Sequence, residues 1–242
     1  MNVAAQTDVG WVRDHNEDSL HVDAHLGLLI VADGIGGQQG GEVASAVAVH
    51  AITTLFKLKL PTAADTEPIS QLIRMGIHSA HEEIWARAAA NPDLNNMGTT
   101  VVLALCQRDK IHIAHVGDSR AYLMHQGKMR QHTEDHSVVG ELIKAGQLTP
   151  RAARHHHLRH VITRSLGGTD SASPDLRCIP WALGDFLLLC SDGLTNMVED
   201  SAIRKLIAQG GADVQATCAK LVALAKTNGG TDNITVVLAY KE

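Results

Sequence analysis

The sequence predicts an α+β fold in which sheets pack together and helix pairs lie outside them. Three observations carry that prediction. The elements run in blocks (strands, two helices, many strands, two helices, one strand) rather than alternating strand and helix. Several strand-length runs are apolar at every position, as strands covered on both faces are. The chain of 242 residues, 45% of them hydrophobic, is large enough to bury a core without disulfide or metal staples. No linker, repeat or low-complexity stretch divides the sequence, so residues 1–242 are expected to form one domain.

Taken in order, Val3 to Thr7 and Leu20 to Val22 are short strand candidates around a polar turn, Arg13-Asp14-His15-Asn16-Glu17-Asp18. Leu28 to Ala32 is continuously apolar and stops at Asp33-Gly34, as a buried strand would. A glycine-rich turn, Gly34 to Gly41, leads into an Ala- and Val-rich helix over Glu42–Leu60, which Pro61 is expected to end. Residues 61–68 read as a polar loop. Ile69 to Ala90 has helical spacing and meets Asn91-Pro92. From Gly98 the period becomes two, and Thr99–Leu105, Ile111–Val116 and Ala121–Met124 predict a β-meander, with His125-Gln126-Gly127-Lys128 as a further turn. Residues 132–170 are polar, His-rich and mixed in pattern, with short helices expected over Val138–Ala145 and after Pro150. This stretch reads as an insertion, and insertions often cover a site. Asp175–Ile179 and Phe186–Cys190 resume as strands, and the second ends in Ser191-Asp192-Gly193. Helices over Asp200–Gln209 and Val214–Thr227 precede a last strand, Ile234–Tyr240, introduced by Gly229-Gly230-Thr231-Asp232-Asn233.

Composition excludes several classes. The net charge is −5 and the pI about 6.3, with no run of Lys and Arg. Aromatics are only 3%. A nucleic-acid partner is therefore not expected. No apolar stretch is read as reaching the roughly 18–20 residues of a membrane span. The first residues lack the basic start and apolar run of a signal peptide, so none is expected. Cys106, Cys178, Cys190 and Cys218 form no C-x-x-C pair and read as reduced thiols in a cytoplasm.

The chemistry lies in the acids. Apolar runs abut aspartates at Asp33-Gly34, Gly117-Asp118, Ser191-Asp192-Gly193 and Thr231-Asp232-Asn233, and the polar turn adds Glu17 and Asp18. Any one Asp-Gly is ordinary turn chemistry. Together they place carboxylates where buried strands emerge. Two like charges about 4 Å apart repel by roughly 4 kcal/mol at an effective dielectric near 20. A converging set therefore requires protons or cations. Oxygen donors without nearby Cys select hard ions such as Mg²⁺ or Mn²⁺. A bridging carboxylate holding two such ions suits phosphoryl displacement by water. Arg13, three residues before Asn16-Glu17-Asp18, offers a bidentate grip on phosphate.

With these pieces in view, the sequence resembles the metal-dependent protein phosphatases of type 2C, in their compact bacterial form. The matching pieces keep the family order: Arg13-x-x-Asn16-Glu17-Asp18, Val31-Ala32-Asp33-Gly34-x-Gly36-Gly37, Gly98-Thr99-Thr100, Val116-Gly117-Asp118-Ser119-Arg120, Asp135-His136-Ser137, Leu166-Gly167, Ser191-Asp192-Gly193-Leu194 and Thr231-Asp232-Asn233. The resemblance implies a four-layer α/β/β/α sandwich of two mostly antiparallel sheets flanked by helix pairs. It implies two Mg²⁺ or Mn²⁺ ions bridged by Asp33, with the Gly34 carbonyl, Asp192 and Asp232 as further direct ligands. Glu17 and Asp18 would hold metal-bound waters, and Asp118 with Asp192 a third, weaker metal. Arg13 would bind the substrate phosphate, and Arg13, Asp33 and Asp192 would carry catalysis. Residues 135–165 would form a flap that influences substrate choice.

The implied reaction is attack by a metal-bridging hydroxide on phosphoserine or phosphothreonine in a protein, with no phosphoenzyme. The implied partners are a phosphorylated protein and an opposing Ser/Thr kinase, with the phosphatase a monomer. Similar stand-alone members reverse threonine kinases, including those that control type VI secretion. Where animal members carry a His after the metal-binding Asp-Gly, this chain has Ile35, so the donor of the leaving-group proton is not identified. A non-catalytic phosphoprotein-binding module on the same fold, or a hydrolase of small phosphate esters, are the alternative readings.

Other motifs fail on their spacing. Gly34-x-Gly36-x-x-x-Gly40 misses the stricter dinucleotide fingerprint because position 39 is Gln39. No Cys is followed six residues later by Arg, which excludes a cysteine-nucleophile phosphatase, and no G-x-S-x-G elbow exists. His81-Glu82-Glu83 begins like a zinc-protease helix, but Trp85 stands where the second His would be.

Overall fold

The structure is a computed structural model that describes residues 1–36, 40–63, 68–168 and 173–242. Residues 37–39 of the glycine-rich turn, 64–67 of the polar loop and 169–172 lie outside the described residues. Among the described residues the strands are β1 (Asn2–Asp8), β2 (Asp18–Asp23), β3 (Leu28–Ile35), β4 (Gly98–Thr99), β5 (Val101–Cys106), β6 (Lys110–Val116), β7 (Arg120–His125), β8 (Lys128–Gln131), β9 (Asp175–Pro180), β10 (Phe186–Cys190) and β11 (Ile234–Tyr240). The helices are α1 (Gly40–Ala63), α2 (Ile69–Ala90), α3 (Val138–Lys144), α4 (Pro150–Ala153), α5 (Asp192–Thr195), α6 (Asp200–Gly210) and α7 (Val214–Thr227).

Two sheets form, one in the order β1-β11-β10-β7-β8, the other β2-β3-β5-β6-β9 with β4 added beside β3. All strand pairs are antiparallel. The continuous apolar runs are explained by strand alternation. In β3, Leu28 and Ile30 face α1 and α2, whereas Leu29 and Val31 face the other sheet. In β11, Val236 and Leu238 pack with α6 and α7, whereas Val237 and Ala239 meet the opposite sheet. Each sheet thus has one face on helices and one on its partner sheet, which is the four-layer α/β/β/α arrangement. On α2, Leu72, Ile73, Ile77, Ala80 and Ile84 make the buried stripe, and Gly76 leaves room for the Phe56 ring of α1.

Several expectations need correction. α1 runs through Pro61 to Ala63, past its expected end; the proline forfeits its own N–H bond to the preceding turn, a loss confined to the last turns of a long helix. The expected meander is two structures. β5 and β6 pair in one sheet, but β7 pairs with β10 and β8 in the other. Gly117 turns the chain between sheets at φ 104, and a Cβ there would lie 2.6 Å from the Thr100 side chain. Strand periodicity does not say which sheet a strand joins. The turn at His125–Lys128 closes a two-residue hairpin, with positive φ at Gln126 and Gly127, onto the polar edge strand β8. The short α5 was not expected. Finally, Gly40–Leu60 is long and apolar enough to span a membrane by composition, contrary to the sequence expectation. Ala44, Val47, Ala48, Ile52 and Phe56 on that helix are buried against β3, β5 and α2.

Candidate active site

The carboxylates meet at one end of the sandwich because both sheets end there. Asp18 at the start of β2 is in register with Asp33 near the end of β3. Asp118 sits in the turn that carries the chain from one sheet to the other, Asp192 opens α5 directly after β10, and Asp232 precedes β11. Backbone groups lock this junction. The Gly34 N–H donates to Glu17 O at 3.1 Å. A Cβ at Gly34 would lie 2.5 Å from that same oxygen and 2.1 Å from Gly41 O, so only glycine permits the approach. The Asp33 N–H donates to Thr100 Oγ1 at 3.1 Å, and Thr99 Oγ1 donates to Asp33 O at 2.9 Å.

Asp18 is buried. Ser191 Oγ donates to its Oδ2 at 2.8 Å, while Oδ1 has no hydrogen-bond partner among the described residues. Burial, with Asp192 and Asp232 nearby, pushes Asp18 up to about 7. Burial also raises Asp33 well above the usual carboxylate range, reinforced by Asp18, Asp192, Asp118 and Asp232. Asp118 rises through burial and the charges of Asp192 and Asp135. Asp192 rises through burial and Asp232, against the pull of His160 on the flap. Apart from burial, most of the charges that raise these groups belong to other members of the set, so the acids predicted from separate strand ends face one another.

Arg13 stands at the exposed rim, with Nε 2.9 Å from Asp232 Oδ1 and Nη2 donating to Oδ2 at 3.0 Å. Burial raises the Glu17 carboxyl and Arg13 opposes the rise. All the acids named from the sequence, with Arg13 and Gly34, are therefore brought together.

Sequence reasoning missed the residues that hold this set. Asn233 ties the two chain ends, accepting from Glu17 N at 2.8 Å and donating to Val9 O and His15 O at 3.0 Å each. Asn196 donates to Asp192 Oδ2 at 2.8 Å, one helical turn on. Ser191 serves both Asp18 and the Thr235 N–H. The available signals were adjacency and motif membership, since Ser191 and Asn233 each neighbour an acid and stand in the short motifs that carry the resemblance. Arg120 grips Asp135 through Nε and Nη2 at 2.6 to 3.0 Å, which joins two of the short motifs. His115 and His136 are stacked 4.6 Å apart beside Asp175, a separate group within reach of a common ion.

The donor set fits hard divalent cations. It consists of oxygens, it contains a buried carboxylate oxygen without a partner, and its mutual repulsion leaves the acids short of compensating charge. A carboxylate cleft with an arginine at its rim, between two antiparallel sheets, defines a metal-dependent phosphohydrolase. Residues 12–234 match the family model described as Protein phosphatase 2C, and the chain belongs to that family. It is 36% identical over 245 residues to the serine/threonine phosphatase stp of Listeria monocytogenes, covering 100% of this chain and 96% of that one. The crystal structure of the Mycobacterium tuberculosis serine/threonine phosphatase PstP/Ppp superposes with a TM-score of 0.90 at 34% identity, covering 99% of this chain and 98% of that one. The PstP catalytic domain in complex with two manganese ions matches at a TM-score of 0.84 and 35% identity, covering 98% of this chain and 96% of that one. The chain is a metal-dependent serine/threonine protein phosphatase acting on phosphoproteins.

Proposed function

We propose that Asp33, the Gly34 carbonyl, Asp192 and Asp232 hold two Mg²⁺ or Mn²⁺ ions, that Glu17 and Asp18 hold them through water, and that Asp118 with Asp192 takes a third. The observation that carries this reading is the convergence of acids from both sheets with Arg13 as their one cationic partner at close range among the described residues. Bound divalent ions supply positive charge and a water of lowered pKa for in-line displacement at phosphorus. Arg13 orients the phosphate with its planar fork. Asp33 and Asp192 set the position of that charge, and Asn196, Ser191 and Asn233 keep the acids in place.

Displacement by water also fits the thiols. Burial pushes Cys106 and Cys218 up to about 12 and Cys190 higher still, so none of these is a thiolate nucleophile at neutral pH. The physiological reading is a monomeric cytoplasmic enzyme that reverses a bacterial Ser/Thr kinase. The free state of all four cysteines supports a reducing compartment.

The test is phosphate release from a phosphothreonine peptide by EDTA-stripped protein. Activity is expected to return with Mn²⁺ or Mg²⁺. Folded protein that stays inactive with both ions would favour the phosphoprotein-binding reading.

A further inference from the structure

A cavity of about 860 Å³ opens from Asp118 and Asp192 along the flap. The flap is pinned at its base: Ser137 bridges Ile162, Val138 N–H donates to Val161 O at 2.9 Å, and Thr163 N–H donates to His136 O at 2.8 Å. Ser137 caps α3, and Thr149 caps α4. Between these anchors, Pro150, Arg151, Ala153, Arg154 and Arg159 line the cavity.

The charges on this wall divide into two groups. The acids beyond the metal corner are largely engaged. Asp135 is gripped by Arg120, Glu134 by Lys144 and Arg177, Asp175 by Arg164, and Asp200 accepts from Tyr122 Oη. Glu141 and Glu199 are the acids left without a partner among the described residues lining the cavity. Against them stand Arg151, Arg154 and Arg159, all lining the cavity and all without an ion pair or hydrogen bond from the side chain among the described residues. Arg154 is half-buried, and Arg151 and Arg159 are exposed. The same cavity is lined by Asp118 and Asp192, so this arginine stretch and the metal corner share one opening.

We propose that Arg151, Arg154 and Arg159 form a second anion-binding wall, which selects phosphopeptides carrying further negative charge beside the phosphorylated residue. The inference rests on the phosphatase reading of the carboxylate cleft. Guanidinium groups without partners are suited to carboxylate or phosphate oxygens. Their position on the wall, away from Arg13, separates this anion from the phosphate undergoing hydrolysis.

The test uses the Mn²⁺-loaded full chain with p-nitrophenyl phosphate and three phosphothreonine peptides of equal length: one with neutral flanks, one with glutamate flanks and one with a second phosphate. The charged peptides are expected to exceed the neutral one in kcat/KM by about 10-fold, chiefly through KM. That advantage should shrink as salt rises from about 0.05 to 0.5 M. A gain with both charged peptides identifies a general anion site; a gain only with the second phosphate identifies a phosphate site. In the variant combining Arg151→Ala, Arg154→Ala and Arg159→Ala, the ratio of charged to neutral peptide should approach one. Equal kcat/KM for all three peptides with wild type would overturn the inference, as would a preference that survives the triple substitution. Loss of all hydrolysis, p-nitrophenyl phosphate included, would bring down the phosphatase reading and this inference with it.

Discussion

Two groups of carboxylates share one end of the molecule and are treated in opposite ways. Asp135, Glu134 and Asp175 on the flap side each have a basic partner within 3.3 Å. Asp18, Asp33, Asp118 and Asp192 have none among the described residues, and burial and mutual repulsion raise all four. The comparison separates structural acids from ligands. A paired acid holds two segments together, whereas an unpaired buried acid is a vacancy in charge that only a proton or a cation fills.

The sharpest way to break this distinction is Asp192→Asn. Phosphopeptide hydrolysis is expected to fall to the level of EDTA-treated wild type while the protein stays folded. Wild-type turnover at saturating Mn²⁺ would remove Asp192 from the ligand set. On the paired side the effect should be on stability. Arg120→Ala strands the largely buried Asp135, at about 3 kcal/mol. That corresponds to a fall in Tm of roughly 6–12 °C, and an unchanged melting curve would show that the pair holds nothing together.

A smaller effect tests the cation directly. Mn²⁺ at about 100 times its Kd should stabilise the stripped protein by about 2.7 kcal/mol, read as a rise in Tm. The rise should vanish in Asp33→Asn and persist in Arg120→Ala. Arg13→Ala should raise KM by about 10- to 100-fold, the range of a charged hydrogen bond, with less change in kcat. An unaltered KM would leave Arg13 as a partner of Asp232 alone.

The last effect is a pH slope. Asp18 in the folded protein titrates near 7 against an ordinary 3.8, so between these values the folded state binds more protons than the unfolded chain. Its contribution to metal-free stability is therefore lost as pH rises from about 4 to 7. Asp18→Asn should flatten the Tm profile of EDTA-treated protein across that window and raise Tm above it. The buried His115 and His136, whose lowered basicity slopes the other way, are common to both proteins and cancel in the difference, whereas Asp33, raised in part by the Asp18 charge, relaxes in the variant and adds to the flattening. An identical slope in the variant would mean that Asp18 is not strained.

Much of this was legible in the residues. Leu28–Ala32 and Phe186–Cys190 announce two-sided burial by being apolar at every position, and the aspartates that end such runs mark where strands leave the core. Helix limits at Ile69–Ala90 and Val214–Thr227 follow from local chemistry, with Pro92 beyond one and Asp213 capping the other. These features depend on neighbours in sequence, so sequence determines them.

What only the tertiary structure decided is which strand lies beside which. β6 and β7 are consecutive and both apolar, yet Gly117 sends them to different sheets, and no period in the chain reports that step. The same step places Asp118 between the sheets. The amide of Asn233 spans 216 residues to reach Glu17, Ser191 spans 173 to reach Asp18, and Arg120 closes on Asp135 across a cavity wall. Which acids are paired and which are left for cations is a property of those long-range contacts. A residue type and its local spacing identify a carboxylate, but only packing sets its solvation and the charges around it.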